Sequence, residues 1–238
     1  MALNAVFLDF AGTLVDVHPG VGAVYARVAR AWGIDVDPTE IERVFRRVYA
    51  QQPPLTFSGR SERARQQAEY HWWRRVVAAC LEACGVRTDS VPFEAYFADL
   101  YATFARADVW RLYPDAIPLL RRLRAAGIRV YIVSNFDSRI ASLVRALGLA
   151  RWVEDVIYSA AVGWAKPDPR IFAAACARAR VVPQSALHIG DDPVADYRGA
   201  RAAGLHARWL ARGSPPDARV PPEDTVFTLT EVRFDGVV

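Results

Sequence analysis

Several side chains that can do chemistry stand directly after short apolar runs. They are Asp9 after AVFL, Ser134 and Asn135 after YIV, and Asp191 and Asp192 after HIG. Carboxylates attack electrophiles or bind cations, and hydroxyl and amide groups donate hydrogen bonds to anions. These residue types therefore indicate chemistry on an electrophilic or anionic substrate.

One further residue is notable because of the composition around it. Lys166, in VGWAKPDP, is the only lysine among the 30 basic residues, and the others are all arginine. A compact ammonium that must touch one anionic centre is not replaced by a guanidinium fork. Taken singly, Ser134 and the acids also suit helix caps or turns, but their combination with Lys166 favours a reactive site.

The segments that must position these residues predict an α/β fold. From Pro114 onward, helical periodicity alternates with short apolar runs, which is typical of a parallel sheet with flanking helices. The first run, AVFLDF, must join this sheet, and the tail after Pro215 adds an edge strand. Ligands bind outside the carboxyl ends of such strands, so the reactive side chains should share one edge of a Rossmann-like sheet.

A purely helical block interrupts this pattern. Four amphipathic segments fill residues 20–107, with Asp37 before Pro38 as an N-cap and a loop, QQPPLTFSGR, between the second and third helices. The sequence therefore predicts an α/β core domain of residues 1–17 and 109–238, with an inserted helical-bundle cap domain of residues 18–108.

The composition limits the class of protein. The chain has 238 residues, an apolar share of 53% and a formal charge of +4. No apolar run is long enough to span a membrane, and the N-terminus does not resemble a signal peptide. Three cysteines without a CxxC motif indicate a reducing compartment, so we expect a cytoplasmic protein. Arginines mixed with acids indicate solvated helices, not a nucleic-acid surface. The sequence leaves open whether the protein is a monomer or a homodimer.

The reactive residues resemble the four motifs of the haloacid dehalogenase-like (HAD) hydrolase superfamily. The motifs occur here in order as Asp9-x-x-x-Thr13, Ser134, Lys166-Pro and Gly190-Asp191-Asp192 with Asp196. The helical block after the first motif is similar to the helical (C1) cap of that family. The resemblance covers about residues 4–210 and extends to the poorly characterised HAD-like hydrolase domain-containing proteins.

The resemblance implies a role for each motif. Asp9 attacks phosphorus and forms an aspartyl-phosphate, which water hydrolyses. Mg²⁺ is held by Asp9, the backbone carbonyl of Ala11, and Asp191, which offer the oxygen ligands that this ion prefers. Ser134 donates a hydrogen bond to the transferring group, and Lys166 is its counter-charge.

Four more residues are expected to surround these groups and orient them, without reacting themselves. They are Thr13, Asn135, Asp192 and Asp196. Arg60, in the loop of the helical block, is the candidate for binding an anionic small-molecule substrate.

Ala11 departs from the family pattern. Most phosphatases of this family have an Asp there, which protonates the leaving group and later activates water. Alanine keeps the carbonyl for the metal but cannot move protons, and the loss of such a group typically costs about 10²–10⁴-fold in rate. The sequence thus predicts a site that is complete for binding and attack and incomplete for acid–base catalysis.

Two relatives that work without this Asp offer alternatives. Phosphonoacetaldehyde hydrolases need a cap lysine, which residues 18–108 do not contain. Haloacid dehalogenases use no metal, but they have a Tyr where this chain has Phe172, and they lack the acid at Asp191. A dehalogenase-type hydrolase and a binding protein with a decayed site stay open beside a Mg²⁺-dependent phosphatase.

Overall fold

The computed structural model describes residues 3–57, 59, 61–213 and 215–234. The chain divides into two compact units, one of Met1–Asp16, Thr56–Gly59 and Leu112–Val238, the other of Val17–Leu55 and Arg60–Arg111. The first unit is α/β and the second is helical. The assignment of residues 18–108 as a cap domain stays a prediction.

The strands of the described residues are short. They are β1 (Ala5–Leu8), β2 (Val15–Val17), β3 (Trp110–Leu112), β4 (Arg129–Ser134), β5 (Asp155–Tyr158), β6 (Ala186–Gly190), β7 (His206–Leu210) and β8 (Thr225–Val226). Six of them form one parallel sheet in the order β5-β4-β1-β6-β7-β8, and β2 pairs with β3 separately. The predicted α/β class is confirmed, and the tail supplies the edge strand β8.

Four helices of the described residues form the predicted helical block, and the others lie between the strands of the α/β unit. The helices are α1 (Val21–Ala31), α2 (Pro38–Ala50), α3 (Glu62–Ala83), α4 (Phe93–Phe104), α5 (Ala116–Ala125), α6 (Ile140–Ala146), α7 (Ser159–Val162), α8 (Pro169–Ala179) and α9 (Gly199–Ala202). None is long and apolar enough to cross a membrane within the described ranges.

The centre of the sheet is β1, whose four residues are all apolar and fully buried. Leu8 is aligned with Ile132 of β4 on one side and with Ile189 of β6 on the other. A strand buried on both faces must be apolar throughout, which explains the unbroken AVFL run. Because β1 ends at Leu8, Asp9 is the first residue beyond the strand.

The helical unit is held by caps and an aromatic core. Asp37 accepts a hydrogen bond from the Glu40 N–H at 2.7 Å, so it is the predicted N-cap of α2. Gly22 lets α1 approach α2 closely, since a Cβ there would lie 1.9 Å from the Pro38 carbonyl oxygen. Trp72 is buried and donates from Nε1 to the Pro53 carbonyl at 3.0 Å, which identifies it as a core residue.

Some local structure differs from the sequence pattern. A π-helical turn, Pro193–Arg198, follows β6 where an ordinary helix was expected, and the Tyr197 N–H bonds to the Asp192 carbonyl five residues earlier at 3.2 Å. The short helix α7 was not anticipated. All three cysteines are free thiols, of which Cys80 and Cys176 are buried.

Candidate active site

The candidate site lies at the carboxyl ends of three adjacent strands. Asp9 follows β1, Ser134 is the last residue of β4, and Asp191 follows β6. Because β1 pairs in parallel with both β4 and β6, these side chains reach the same edge of the sheet. The structure therefore brings together the residues that the strand ends predicted.

Lys166 lies between two carboxylates. Its Nζ is 2.7 Å from Asp9 Oδ1 and 2.5 Å from Asp196 Oδ1, and its side chain is only 2% exposed. Asn135 holds the backbone of this lysine: its Nδ2 donates to the Lys166 carbonyl at 2.9 Å, and its Oδ1 accepts from the Lys166 N–H at 2.7 Å. The end of β4 thus anchors the loop that carries the ammonium.

His188, in the middle of β6, is a member of this cluster that sequence reasoning missed. Its Nε2 lies 2.8 Å from Asp196 Oδ1, and both side chains are buried. Asp196 Oδ2 accepts a hydrogen bond from the Asp192 N–H at 3.0 Å. The only sequence signal for this contact is a histidine in an otherwise apolar strand, since a buried imidazole needs a partner.

Glycine allows the close approach of Asp196 to β6. A Cβ added at Gly190 would lie 2.1 Å from Asp196 Cγ, far closer than non-bonded carbon atoms approach. The π-helical turn brings Asp196 back over the strand end, where it meets Lys166 and His188. The predicted role of Asp196 in orienting the reactive groups stays a prediction.

Asp191 is fixed through both its side chain and its backbone. Thr13 Oγ1 donates to Asp191 Oδ1 at 3.1 Å, and Trp209 Nε1 on β7 donates to the Asp191 carbonyl at 2.8 Å. Gly12, at φ 85°, leaves room for the carboxylate, because a Cβ there would lie 2.3 Å from Asp191 Oδ2. The turn after β1 thus shapes the position of this acid.

Three predicted site residues remain, Asp192, Ala11 and Arg60, and the structure describes the first two. The Asp192 carboxylate caps the π-helical turn, accepting from Val194 N–H at 2.7 Å and Ala195 N–H at 2.8 Å. Ala11 forms an isolated bridge with Val15 in the turn after β1, and its carbonyl as a metal ligand stays a prediction. Arg60 lies outside the described residues.

Burial and charge shift the protonation of the acids. Burial raises the pKa of Asp9, which Lys166 opposes and Asp196 reinforces. Burial, with the charges of Asp9 and Asp196, raises the pKa of Asp191 to about 8. Burial alone would raise the pKa of Asp196, but Lys166 and His188 hold it below its usual value. Asp196 is therefore well compensated by positive charge, whereas Asp9 and Asp191 are not.

The same three acids could hold a metal ion. One oxygen from each of Asp9, Asp191 and Asp196 lies within 4.8 Å of the others. Asp196 Oδ1 contacts both Lys166 and His188, whereas of these two Asp9 contacts only Lys166, so Asp9 and Asp191 are the acids better suited to a divalent cation. Carboxylate oxygens and an uncompensated negative charge fit Mg²⁺, so the residues present agree with this ion.

A family model described as a haloacid dehalogenase-like hydrolase matches residues 3–204. This chain belongs to that family. Haloacid dehalogenase-like hydrolase domain-containing protein 3 of Bos taurus is 34% identical to this HAD-like hydrolase over 221 residues, or 92% of this chain and 86% of the bovine protein. A phosphoserine phosphatase of Thermus thermophilus is 39% identical over 134 residues, which cover 55% of this chain and 53% of that phosphatase.

The fold of this HAD-like hydrolase is shared with solved dehalogenases. The crystal structure of one dehalogenase superimposes with a TM-score of 0.70 at 22% identity, covering 96% of this chain and 95% of the other. At that identity the likeness concerns the fold alone. Membership of the family shows that this chain is a HAD-like hydrolase. The residues at the strand ends have to distinguish a phosphatase from a dehalogenase.

Proposed function

We propose that this HAD-like hydrolase is a Mg²⁺-dependent phosphatase that cleaves a small phosphate ester through an aspartyl-phosphate at Asp9. The observation that carries the proposal is the charge balance of the cluster. One buried ammonium, Lys166, is shared by Asp9 and Asp196, while burial and the charges of Asp9 and Asp196 raise the pKa of Asp191 to about 8. A metal-free reaction would leave this cluster uncompensated.

The first step is attack by Asp9 on phosphorus. Lys166 lies 2.7 Å from Oδ1 of this carboxylate. A bond forms between a carboxylate oxygen of Asp9 and phosphorus, the bond from phosphorus to the ester oxygen breaks, and that oxygen leaves with the electron pair as an alkoxide or aryloxide, which takes a proton from solvent. Water then attacks the aspartyl-phosphate, which releases inorganic phosphate and returns the carboxylate.

The other residues stabilise the charge of the transferring group. Lys166 supplies a positive charge beside Asp9, and the Ser134 hydroxyl at the end of β4 donates to a phosphoryl oxygen. Asp9 and Asp191 would hold Mg²⁺, which, when bound, would neutralise the carboxylates and the phosphoryl oxygens. Thr13 and Trp209 keep Asp191 in place for this role.

Ala11 decides which esters react well. Its methyl group cannot give a proton to the leaving oxygen or take one from water, so the departing group must be stable as an anion or receive its proton from solvent. Aryl phosphates meet the first condition and sugar phosphates do not. We therefore infer a phosphatase that favours substrates with acidic leaving groups.

A dehalogenase is the second candidate, and Ala11 is the observation that favours it. Displacement of halide from a 2-haloacid needs no acid at position 11, and Asp9 would attack carbon in place of phosphorus. Against it, Phe172 is fully buried and packs edge-to-face against His188 at 5.1 Å, and it has no hydroxyl. Asp191 also keeps the carboxylate that a metal-free reaction does not use.

The experiment is a screen of phosphate esters and 2-haloacids with Mg²⁺ and with EDTA. We expect release of phosphate that requires Mg²⁺ and disappears in Asp9→Asn. The matched control is Asp217→Asn, a half-buried acid outside the cluster that is paired with Arg219, and this variant should keep full activity. Halide release in EDTA without phosphate release would establish the dehalogenase, and no turnover of either class would indicate a binding protein.

A further inference from the structure

The buried imidazole of His188 has one partner that it can donate to. Its Nε2 lies 2.8 Å from Asp196 Oδ1, and its Nδ1 has no hydrogen-bond partner among the residues that the structure describes. The ring is fully buried and packs edge-to-face against Phe172. Because the ring is fully buried, these neighbours set its protonation.

This environment selects one form of the ring. A charged imidazole would bury an Nδ1–H donor with no acceptor, which is costly. The neutral form with its proton on Nδ1 would bury the same unpaired donor and turn the Nε2 lone pair toward a carboxylate oxygen. The neutral Nε2–H form leaves only a lone pair unpaired. Burial also lowers the pKa of His188, although Asp196 opposes this.

His188 and Lys166 act on the same oxygen. Lys166 Nζ lies 2.5 Å from Asp196 Oδ1, the atom that faces His188 Nε2, and 2.7 Å from Asp9 Oδ1. The ammonium is therefore divided between two carboxylates. A donor on Asp196 weakens the hold of Asp196 on the ammonium, and loss of that donor would draw Lys166 away from Asp9.

We propose that His188 is a positioning residue that, as a neutral Nε2–H imidazole, donates to Asp196 Oδ1 and thereby keeps the Lys166 ammonium shared with Asp9. The kinetic part of this proposal rests on the proposed phosphatase reaction, whereas the hydrogen bond itself does not. His188 does not touch substrate, and it acts through Asp196 on Lys166.

The composition of the chain makes a direct test available. Lys166 is the only lysine, so protein labelled with ¹⁵N-lysine has a single side-chain ammonium signal, and ¹⁵N-histidine labelling gives four imidazoles. In the wild-type protein at neutral pH, with Mg²⁺ present, we expect the His188 ring to carry its proton on Nε2. A proton on Nδ1, or on both nitrogens, would overturn the proposal without any variant.

Two variants of similar shape distinguish the effect of the hydrogen-bond donor at position 188 from the effect of side-chain packing. His188→Gln keeps an N–H donor at about the reach of Nε2, and His188→Met has similar length without a donor. We expect the Lys166 signal to shift in the Met variant and to stay near its wild-type position in the Gln variant. His206→Gln, at an imidazole that contacts the Gln184 carbonyl, is the control and should leave the signal unchanged.

Kinetics complete the test. We expect kcat for an aryl phosphate to fall about 10-fold or more in His188→Met, with KM little changed, and to recover largely in His188→Gln. Equal losses in both variants, or an unshifted Lys166 signal in His188→Met, would overturn the positioning role. If the wild-type protein cleaves no ester, the proposed reaction fails, while the ring proton and the ammonium signal still decide the role of His188.

Discussion

At the scale of single residues, the site depends on the Lys166 ammonium, which lies between two carboxylates. Lys166 is almost completely buried, and Asp9 and Asp196 raise its pKa above the ordinary lysine value, although burial alone would lower it. The ammonium is therefore charged throughout the neutral range. Its compact shape lets it touch one oxygen of each carboxylate, which a planar guanidinium does not reproduce.

Replacing Lys166 by arginine should therefore keep the charge and lose the function. We expect Lys166→Arg to lower kcat/KM for an aryl phosphate by about 10²–10³-fold, the range found when a preorganised electrostatic group is removed. Circular dichroism would check that the fold survives. The matched control is Arg170→Lys at an exposed pair with Asp168, which should have no effect. Full activity of Lys166→Arg would show that the lone lysine has no special role.

Ala11 permits a gain-of-function test at the same scale. We expect Ala11→Asp, at saturating Mg²⁺, to raise turnover of alkyl phosphates more than that of aryl phosphates, by up to about 10²-fold, because only the alkoxide needs a proton on leaving. Ala11→Asn, which has the same shape and no acid, is the control. If Ala11→Asp leaves both ester classes unchanged, another group already moves the proton.

At the scale of elements, the turn after β1 packs closely against the turn after β6, with little room between them. Gly12 adopts a φ of 85° and lies against the Asp191 carboxylate, so a Cβ added there would have to displace that carboxylate. Gly190 has the same relation to Asp196. The two glycines set how closely the acids approach the strand ends, and hence where a cation can bind.

A pair of glycine variants distinguishes backbone strain from displacement of Asp191. Gly127 has a φ of 70° with no atom within 4 Å of an added Cβ, so Gly127→Ala introduces backbone strain without a steric clash. We expect Gly12→Ala and Gly127→Ala each to lose about 1–2 kcal/mol of unfolding free energy. Only Gly12→Ala should also weaken Mg²⁺ binding, by about 10-fold or more, as measured by calorimetry. Equal Mg²⁺ affinity in both variants would contradict the position assigned to the metal.

The strand ends were predictable because each apolar run stops at a polar residue. Asp9, Ser134 and Asp191 could be placed at one edge of a sheet from that pattern alone. The contacts of Asp196 were not predictable, because they depend on the π-helical turn after β6, which the sequence pattern does not mark. His188 was missed because a strand buried on both faces has no alternation that marks an inward polar residue.

At the scale of the whole molecule, metal binding and stability are linked. A ligand that binds only the folded protein stabilises it by about 2.7 kcal/mol at 100 times its Kd. We expect millimolar Mg²⁺ to raise the Tm of the wild-type protein and Asp191→Asn to remove most of that increase. Asp217→Asn should keep it, since that acid is paired with Arg219 in a loop. An unchanged wild-type Tm would count heavily against the metal.

We expect Asp9 to attack phosphorus in a site without an acid–base residue at position 11. The most direct measurement is rapid acid quenching during turnover of an aryl phosphate with Mg²⁺, followed by mass spectrometry of the peptide that contains Asp9. Because no side chain at position 11 activates water, the second step should be slow. We expect a phosphoryl group on Asp9, less of it in Ala11→Asp and none in EDTA. Turnover without any phosphoryl group on that peptide, or a carbon adduct formed from a 2-haloacid without metal, would contradict the claim.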